Sequence, residues 1–189
     1  MADIKESIIK ETTKLIEEKN GDLKSVTARA IAKRCGIALG LINYHFKSKD
    51  RLIELCVQRI VNRILFCFCS QDDDLGAEND CERLINQARQ IFDFFYENKT
   101  MAKIFILSDF KDYTPKSNTT AARNGLALAI KDNPDKRKKR IISFILTSAL
   151  QTAFLTGSHS KDIVGYDLDD KLQRDMFVTE AVNMMFYGM

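Results

Sequence analysis

Residues 27–46 (TARAIAKRCGIALGLINYHF) contain the side chains whose types and spacing suggest a binding chemistry. Two short helices that meet at a tight turn need a small residue at their crossing, a turn residue that tolerates unusual dihedral angles, and an apolar residue that packs into the angle. Ala32, Gly36 and Ile42 meet these needs in that order. Their spacing is typical of a DNA-binding helix-turn-helix, and the alternative is an ordinary helical hairpin.

The next informative stretch is residues 43–52 (NYHFKSKDRL), which resembles the hallmark of the TetR family of bacterial transcriptional regulators. Residues 27–32 (TARAIA) are similar to the second helix of that family. The resemblance covers residues 4–60. It implies an all-α regulator with an N-terminal helix-turn-helix, a divergent helical region that binds an effector, and assembly as a homodimer.

Four residues are expected, on this resemblance, to contact the DNA backbone. The ring of Tyr44 can pack on a sugar while its hydroxyl donates to a phosphate, and His45 can donate a ring N–H to a phosphate. Lys49 falls in the first turn of the next helix, where backbone N–H groups and a cation can share a phosphate oxygen. Thr27 offers a hydroxyl and an amide. The alternatives are a partly buried aromatic ring for Tyr44 and a local helix cap for His45.

The residues expected to contact bases lie early in the third predicted helix, about residues 38–46, which is the second of the two motif helices: Ala38, Leu39, Gly40, Leu41 and Asn43. Leu39 and Leu41 stand where the family commonly has polar or basic residues, and Asn43 replaces its first tyrosine. Leucine can contact a thymine methyl group, whereas asparagine can pair with N6 and N7 of adenine. We therefore predict half-sites rich in A·T pairs, with Asn43 as the main base-contacting residue.

The charge distribution favours the same region. Residues 24–51 contain seven Lys or Arg and one acid, which is a net +6, whereas the whole chain carries +3. A locally basic segment predicts a polyanionic partner, although a solvated helix face could give the same count. A second basic run at residues 136–140 (KRKKR) is predicted to be the solvated start of a helix, with a further anionic contact left open.

The composition favours long helices, because only 8 Gly and 2 Pro occur among 189 residues. Apolar periodicity predicts about nine helices and an all-α fold. We expect a helix-turn-helix DNA-binding domain over residues 1–47 and an effector-binding and dimerisation domain over residues 48–189, joined by a helix at residues 48–69.

The location is predicted to be cytoplasmic. The first 20 residues alternate charged and apolar side chains, unlike a signal peptide, and the five cysteines have irregular spacing. Residues 141–160 lack charge but are interrupted by polar side chains, so we expect a buried helix and no membrane contact.

Two apolar features of the C-terminal region could bind a ligand or a partner. An aromatic band could line the effector pocket that the resemblance implies, although core packing explains most of it: Phe92, Phe95, Tyr96, Met101, Phe105, Phe110 and Tyr113. The helices over residues 135–157 and 168–187 are apolar over a broad face and could form a four-helix dimer interface. The expected interface residues are Ile142, Ile145, Leu146, Ala149, Leu150, Ala153, Leu172, Met176 and Met185. The alternative is that both are core helices within one chain.

Residues 80–189 contain no nucleophile elbow, glycine-rich phosphate loop or His–Glu pair at metal-binding spacing. We therefore predict no enzymatic activity, no cofactor and no metal. The favoured interpretation is a homodimeric transcriptional repressor that binds pseudo-palindromic double-stranded DNA and is released by a small, largely apolar effector. A regulator of the same fold that is controlled by a protein partner is the first alternative, and a small helical enzyme or carrier is the second.

Overall fold

The computed structural model describes residues 4–19, 21–70, 77–111, 113–114 and 117–187, apart from the side chains of residues 65–70, 111 and 118. Over these residues the structure is entirely helical, which confirms the predicted all-α class. The helices are α1 (Ile4–Glu18), α2 (Ala28–Cys35), α3 (Gly40–Phe46), α4 (Lys49–Ser70), α5 (Asp80–Glu97), α6 (Lys99–Lys111), α7 (Asn118–Ala129), α8 (Lys136–Thr156), α9 (Ser160–Val164) and α10 (Lys171–Tyr187). The short α9, which follows a 3₁₀ turn at Gly157–His159, is the one that periodicity did not predict.

Residues 4–47, called the head below, pack α1, α2 and α3 around one apolar cluster. Ile16, Ile31 and Ile42 are almost fully buried in it. Two salt bridges tie α2 to α1, because Arg34 lies 3.2 Å from a carboxylate oxygen of Glu11 and 2.5 Å from one of Glu18. The apolar cluster and these ion pairs hold the motif helices in a defined orientation.

Helix α4 connects the head to residues 77–187, called the body. It packs against α1 and α3 on the head side and against α6 and α7 on the body side. Cys56 Sγ donates to the Ile9 carbonyl at 3.6 Å, and Gln58 Nε2 donates to Ser108 Oγ at 3.3 Å. Its 22 residues span about 33 Å, so one continuous helix contacts both regions.

The body is organised by a buried carboxylate at the start of α5. Asp80 accepts hydrogen bonds from the backbone N–H groups of residues 131–133 at 2.6 to 3.1 Å, and from Arg83 at 2.6 Å. Burial raises the pKa of Asp80, but these hydrogen bonds outweigh burial and hold the pKa below its ordinary value. The connection between α7 and α8 is thereby fixed to the first turn of α5.

Helix α8 has the apolar character that also suits a membrane. Among the described residues, Lys136–Val164 is long and apolar enough to cross a bilayer by length and composition. One side of α8 is nevertheless buried within the body, with Ile142, Leu146 and Leu150 at most 5% exposed. A core helix passes the same test, so this property is weak support for a membrane span.

Candidate DNA-binding interface

The helix-turn-helix is built from local signals in the sequence. Thr27 caps α2, since its Oγ1 accepts a hydrogen bond from the Ala30 N–H at 3.1 Å. Gly36 ends α2 in the left-handed region at φ +63°, and a Cβ atom there would meet nothing within 4 Å. The glycine is therefore needed for its backbone angle and not for space. Ile42 then packs inward from α3 and is 1% exposed.

Helix α3 presents most of the predicted base-contacting residues to solvent. Ala38, Leu39, Gly40 and Asn43 are exposed, whereas Leu41 is half-buried. The regular helix begins at Gly40, but i to i+3 hydrogen bonds from the residue 41 and 42 amides already close a turn over residues 38–39. This exposed face is unpartnered within the described chain and has the width of a single helix, which suits a major groove.

The four predicted backbone-contact residues surround that face. Tyr44 is 80% exposed, and the half-buried His45 packs edge-on against it with ring centroids 5.0 Å apart. The Thr27 hydroxyl is exposed and can still donate while it caps α2. Lys49 lies in the first turn of α4, with its Nζ 3.6 Å from the exposed Asp50 carboxylate.

The structure also separates paired from unpaired cations in the basic segment. Arg34 is paired with two glutamates, as described above, and Arg51 is 2.9 Å from Glu54, so neither is free for an anionic partner. By contrast, Arg29, Lys33 and Lys47 are exposed and have no carboxylate within 4 Å in the described part of the chain. A count of charges in the sequence does not distinguish these three residues from the paired arginines.

Lys47 has a second property that the sequence does not reveal. Lys47 has a φ of +67° and is the one non-glycine residue with a positive φ among the residues that the structure describes. Its amide donates to the Asn43 carbonyl at 2.9 Å, which closes α3 and turns the chain into α4. The turn places an exposed cation directly between the two helices that carry the other candidate contacts.

The aromatic band predicted to line an effector pocket divides into two groups. Phe92, Phe95 and Phe105 are at most 1% exposed, and Met101 is 8% exposed. The half-buried Tyr96 joins this core through edge contacts, with ring centroids 5.2 Å from Phe92 and 5.4 Å from Phe154. Burial raises the pKa of the Tyr96 hydroxyl to about 12.

The other two members of the band, Phe110 and Tyr113, are 63% and 51% exposed. The band is therefore not one continuous surface, because helical spacing placed core and surface side chains in the same stretch of sequence.

The residues predicted for a dimer interface also divide. Ile142, Leu146, Leu150 and Ala153 are buried within the protomer, which assigns them to its own core. Ile145, Leu172 and Met176 are exposed, and Ala149 and Met185 are half-buried. Further apolar side chains on the outer faces of α8 and α10 are exposed, namely Ile141, Phe144, Met184 and Tyr187.

Comparison with known proteins agrees with the geometry of the head. Residues 8–56 match the family model described as bacterial regulatory proteins, tetR family. A search of curated proteins finds no match. The fold matches the crystal structure of a TetR transcriptional regulator from Rhodococcus sp. RHA1 with a TM-score of 0.60 and 15% sequence identity, over 97% of this chain and 95% of that chain.

The match at residues 8–56 contains the capped α2, the Gly36 turn, α3 and the first turns of α4. The structural similarity, at 15% identity overall, extends the same fold over 97% of the chain, which includes the body. The resemblance predicted from residues 27–52 is thus confirmed: residues 8–56 match the N-terminal region of the tetR family of regulatory proteins, and the chain shares the fold of a TetR transcriptional regulator.

Proposed function

We propose that this protein is a cytoplasmic, homodimeric bacterial repressor that binds a pseudo-palindromic operator. The observation that carries this proposal is the exposed face of α3, flanked by Thr27, Tyr44 and Lys49, in a region that matches the family model. Contacts to phosphates set register and affinity, while the exposed side chains of α3 contact base edges. With Asn43 and Leu39 exposed there, A·T pairs are the favoured targets.

The outer faces of α8 and α10 support assembly as a dimer. Ile141, Phe144 and Ile145 occupy positions i, i+3 and i+4 of α8 and are each about half exposed. Leu172 and Met176 form the matching strip on α10, at 69% and 49% exposure. Apolar strips on two adjacent helices are typical of an interface in which a second copy supplies the missing layer. The two α3 helices would then be spaced for successive major grooves, about 34 Å apart.

Release by a small effector completes the proposal. Because α4 begins next to α3 and packs on α6 and α7, a ligand that favours one position of α4 changes the separation of the two α3 helices. A differential affinity of about 1–3 kcal/mol between the two positions is enough for control. The buried Phe92, Phe95 and Phe105 become ligand contacts only if this aromatic core opens.

Selection from random double-stranded DNA tests the function directly. The purified protein is incubated with a random duplex library at moderate salt, and the bound pool is sequenced. We expect an inverted repeat with A·T-rich half-sites. Salt-sensitive binding without any enriched sequence would refute sequence-specific repression and favour the alternative, a DNA-binding protein of the same fold that is controlled by a protein partner.

The dimer is tested by Phe144→Asp, with Leu39→Asp as the matched control. Both side chains are about half exposed, so neither change disrupts the core of the protomer. We expect Phe144→Asp to yield monomers in sedimentation velocity and to lose operator binding. Leu39→Asp should remain dimeric and lose operator binding alone. A dimeric Phe144→Asp protein would place the interface elsewhere.

A further inference from the structure

A cleft of about 560 Å³ lies where the head meets the body. One wall is the first two turns of α4 and the connection before α2, and the other wall is α6. Its apolar lining comes from Leu23, Ile53, Ile104 and Leu107, with Leu107 39% exposed. This volume and this largely apolar lining fall within the range of small-molecule sites.

The charges at the mouth of the cleft favour an anion. Lys49, Lys99 and Lys103 all line it. Lys103 is exposed and has no carboxylate within 4 Å among the described residues, whereas Lys99 pairs with Asp169. Two acids also line the cleft, Asp50, which pairs with Lys49, and Glu54, which pairs with Arg51. Three lysines against two acids leave a net charge of +1 beside the apolar lining.

We propose that this cleft binds an amphipathic carboxylate, with its chain against Leu107 and Ile53 and its head group at Lys103. The site differs from the buried aromatic band, since Phe92, Phe95 and Phe105 do not line it. An alkyl chain covers the exposed part of Leu107, and an ion pair with Lys103 satisfies the unpaired cation. A cationic amphiphile of the same length would meet like charge instead.

Occupancy of the cleft is expected to oppose DNA binding. Lys49 belongs both to its lining and to the candidate phosphate contacts, so a carboxylate bound in the cleft adds negative charge beside a proposed phosphate contact. The ligand also touches α4 and α6 together, next to the Gln58–Ser108 hydrogen bond that joins them. This coupling rests on the proposed DNA-binding function, whereas binding of the carboxylate does not.

Binding is tested without DNA, by isothermal titration of the full chain with decanoate below its micellar concentration. We expect saturable binding that is weakened about tenfold or more in Lys103→Gln, because an ion-paired hydrogen bond is lost. Leu107→Gln should weaken binding as well. Lys138→Gln and Leu128→Gln are the matched controls, since both side chains are exposed and neither lines the cleft. Decylammonium should not bind.

Absence of saturable decanoate binding, equal binding of decylammonium, or unchanged binding in both cleft variants would overturn the site. The coupling is tested separately, by measuring operator affinity with and without decanoate. We expect at least a fivefold loss of affinity in the wild type and a smaller loss in Leu107→Gln at the same decanoate concentration. Decanoate binding with unchanged operator affinity would overturn the coupling. A failure to bind any DNA would contradict the proposed function and leave the calorimetric result intact.

Discussion

Replacing Lys49 by glutamine isolates one proposed phosphate contact from the stability of the fold. Within 4 Å of Lys49 Nζ, the part of the chain that the structure describes places one carboxylate, that of Asp50 at 3.6 Å, whose side chain is 86% exposed. Such a surface pair contributes at most about 1 kcal/mol. A cation in the first turn of a helix is also unfavourable to the helix dipole. We therefore expect the free energy of unfolding of Lys49→Gln to equal that of the wild type or to exceed it slightly.

The effect on DNA follows from counterion release. Each phosphate contact contributes about 0.9 to the slope of the logarithm of the binding constant against the logarithm of salt concentration. A dimer presents Lys49 twice, so the slope should fall in magnitude by about 1.8. At 0.1 M salt, compared with a 1 M reference, this is about a 60-fold loss of affinity, or about 2.4 kcal/mol.

The assay is fluorescence anisotropy with the selected operator at several salt concentrations. Lys138→Gln is the control, because it removes the same charge at the other end of the body. Lys138 lies in the first turn of α8, close to the connection that Asp80 holds. Asp80 begins the 18-residue α5, which is about 27 Å long and leads to the head-facing start of α6, so Lys138 lies far from the head. An unchanged slope in Lys49→Gln, or an equal change in Lys138→Gln, would refute the docking geometry.

Three further predictions concern stability. Asp80→Asn should lower the free energy of unfolding in urea by about 3 kcal/mol, because it breaks a buried ion pair with Arg83 and weakens the hydrogen bonds accepted from three backbone amides. Asp132→Asn is the control: it removes the 69% exposed partner of Arg83 and should lower that free energy by less than about 1 kcal/mol. The pKa of Asp80 is lowered in the folded state. Its contribution to the free energy of unfolding should therefore be complete above about pH 4 and be lost as the pH falls below that value. Asp80→Asn should flatten the plot of unfolding free energy against pH in that range, and an unchanged plot would refute the role given to Asp80. Gly21→Ala should lower the free energy of unfolding by about 1–2 kcal/mol, because φ is +75° and the new Cβ would lie 3.2 Å from Met101 Cε. Gly40→Ala is the control and should not destabilise the fold, since its Cβ would meet nothing within 4 Å. Equal melting temperatures for the two variants would contradict the strain at Gly21.

The head could be predicted because its signals are local. The Thr27 cap, the Gly36 turn and the Ser48 cap each act within four residues, so the sequence alone indicates where α2 and α4 begin and where α2 ends. Because α3 is short, the positions of its buried residues Ile42 and Phe46 largely fix which of its other residues face outward. This is why Leu39, Asn43 and Tyr44 are exposed as predicted.

The outer face of α8 could not be predicted in the same way. Ile141 and Ile142 are adjacent, as are Ile145 and Leu146, so the helix is apolar on both sides. Periodicity shows apolar side chains on both sides of α8 but does not say which side meets the body. The structure buries Ile142 and Leu146 and exposes Ile141 and Phe144.

What the sequence by itself determined is the all-α class, the helix-turn-helix and the exposed face of α3 that we propose contacts DNA, since each depends on caps, turns and spacing within a few residues. Only the tertiary structure decided which cations are paired, which side of α8 is free, and that α6 stands across a cleft from the start of α4. Those outcomes join residues such as Ile53 and Leu107 that are far apart in the chain. Their proximity depends on the packing of whole helices, which no local pattern records.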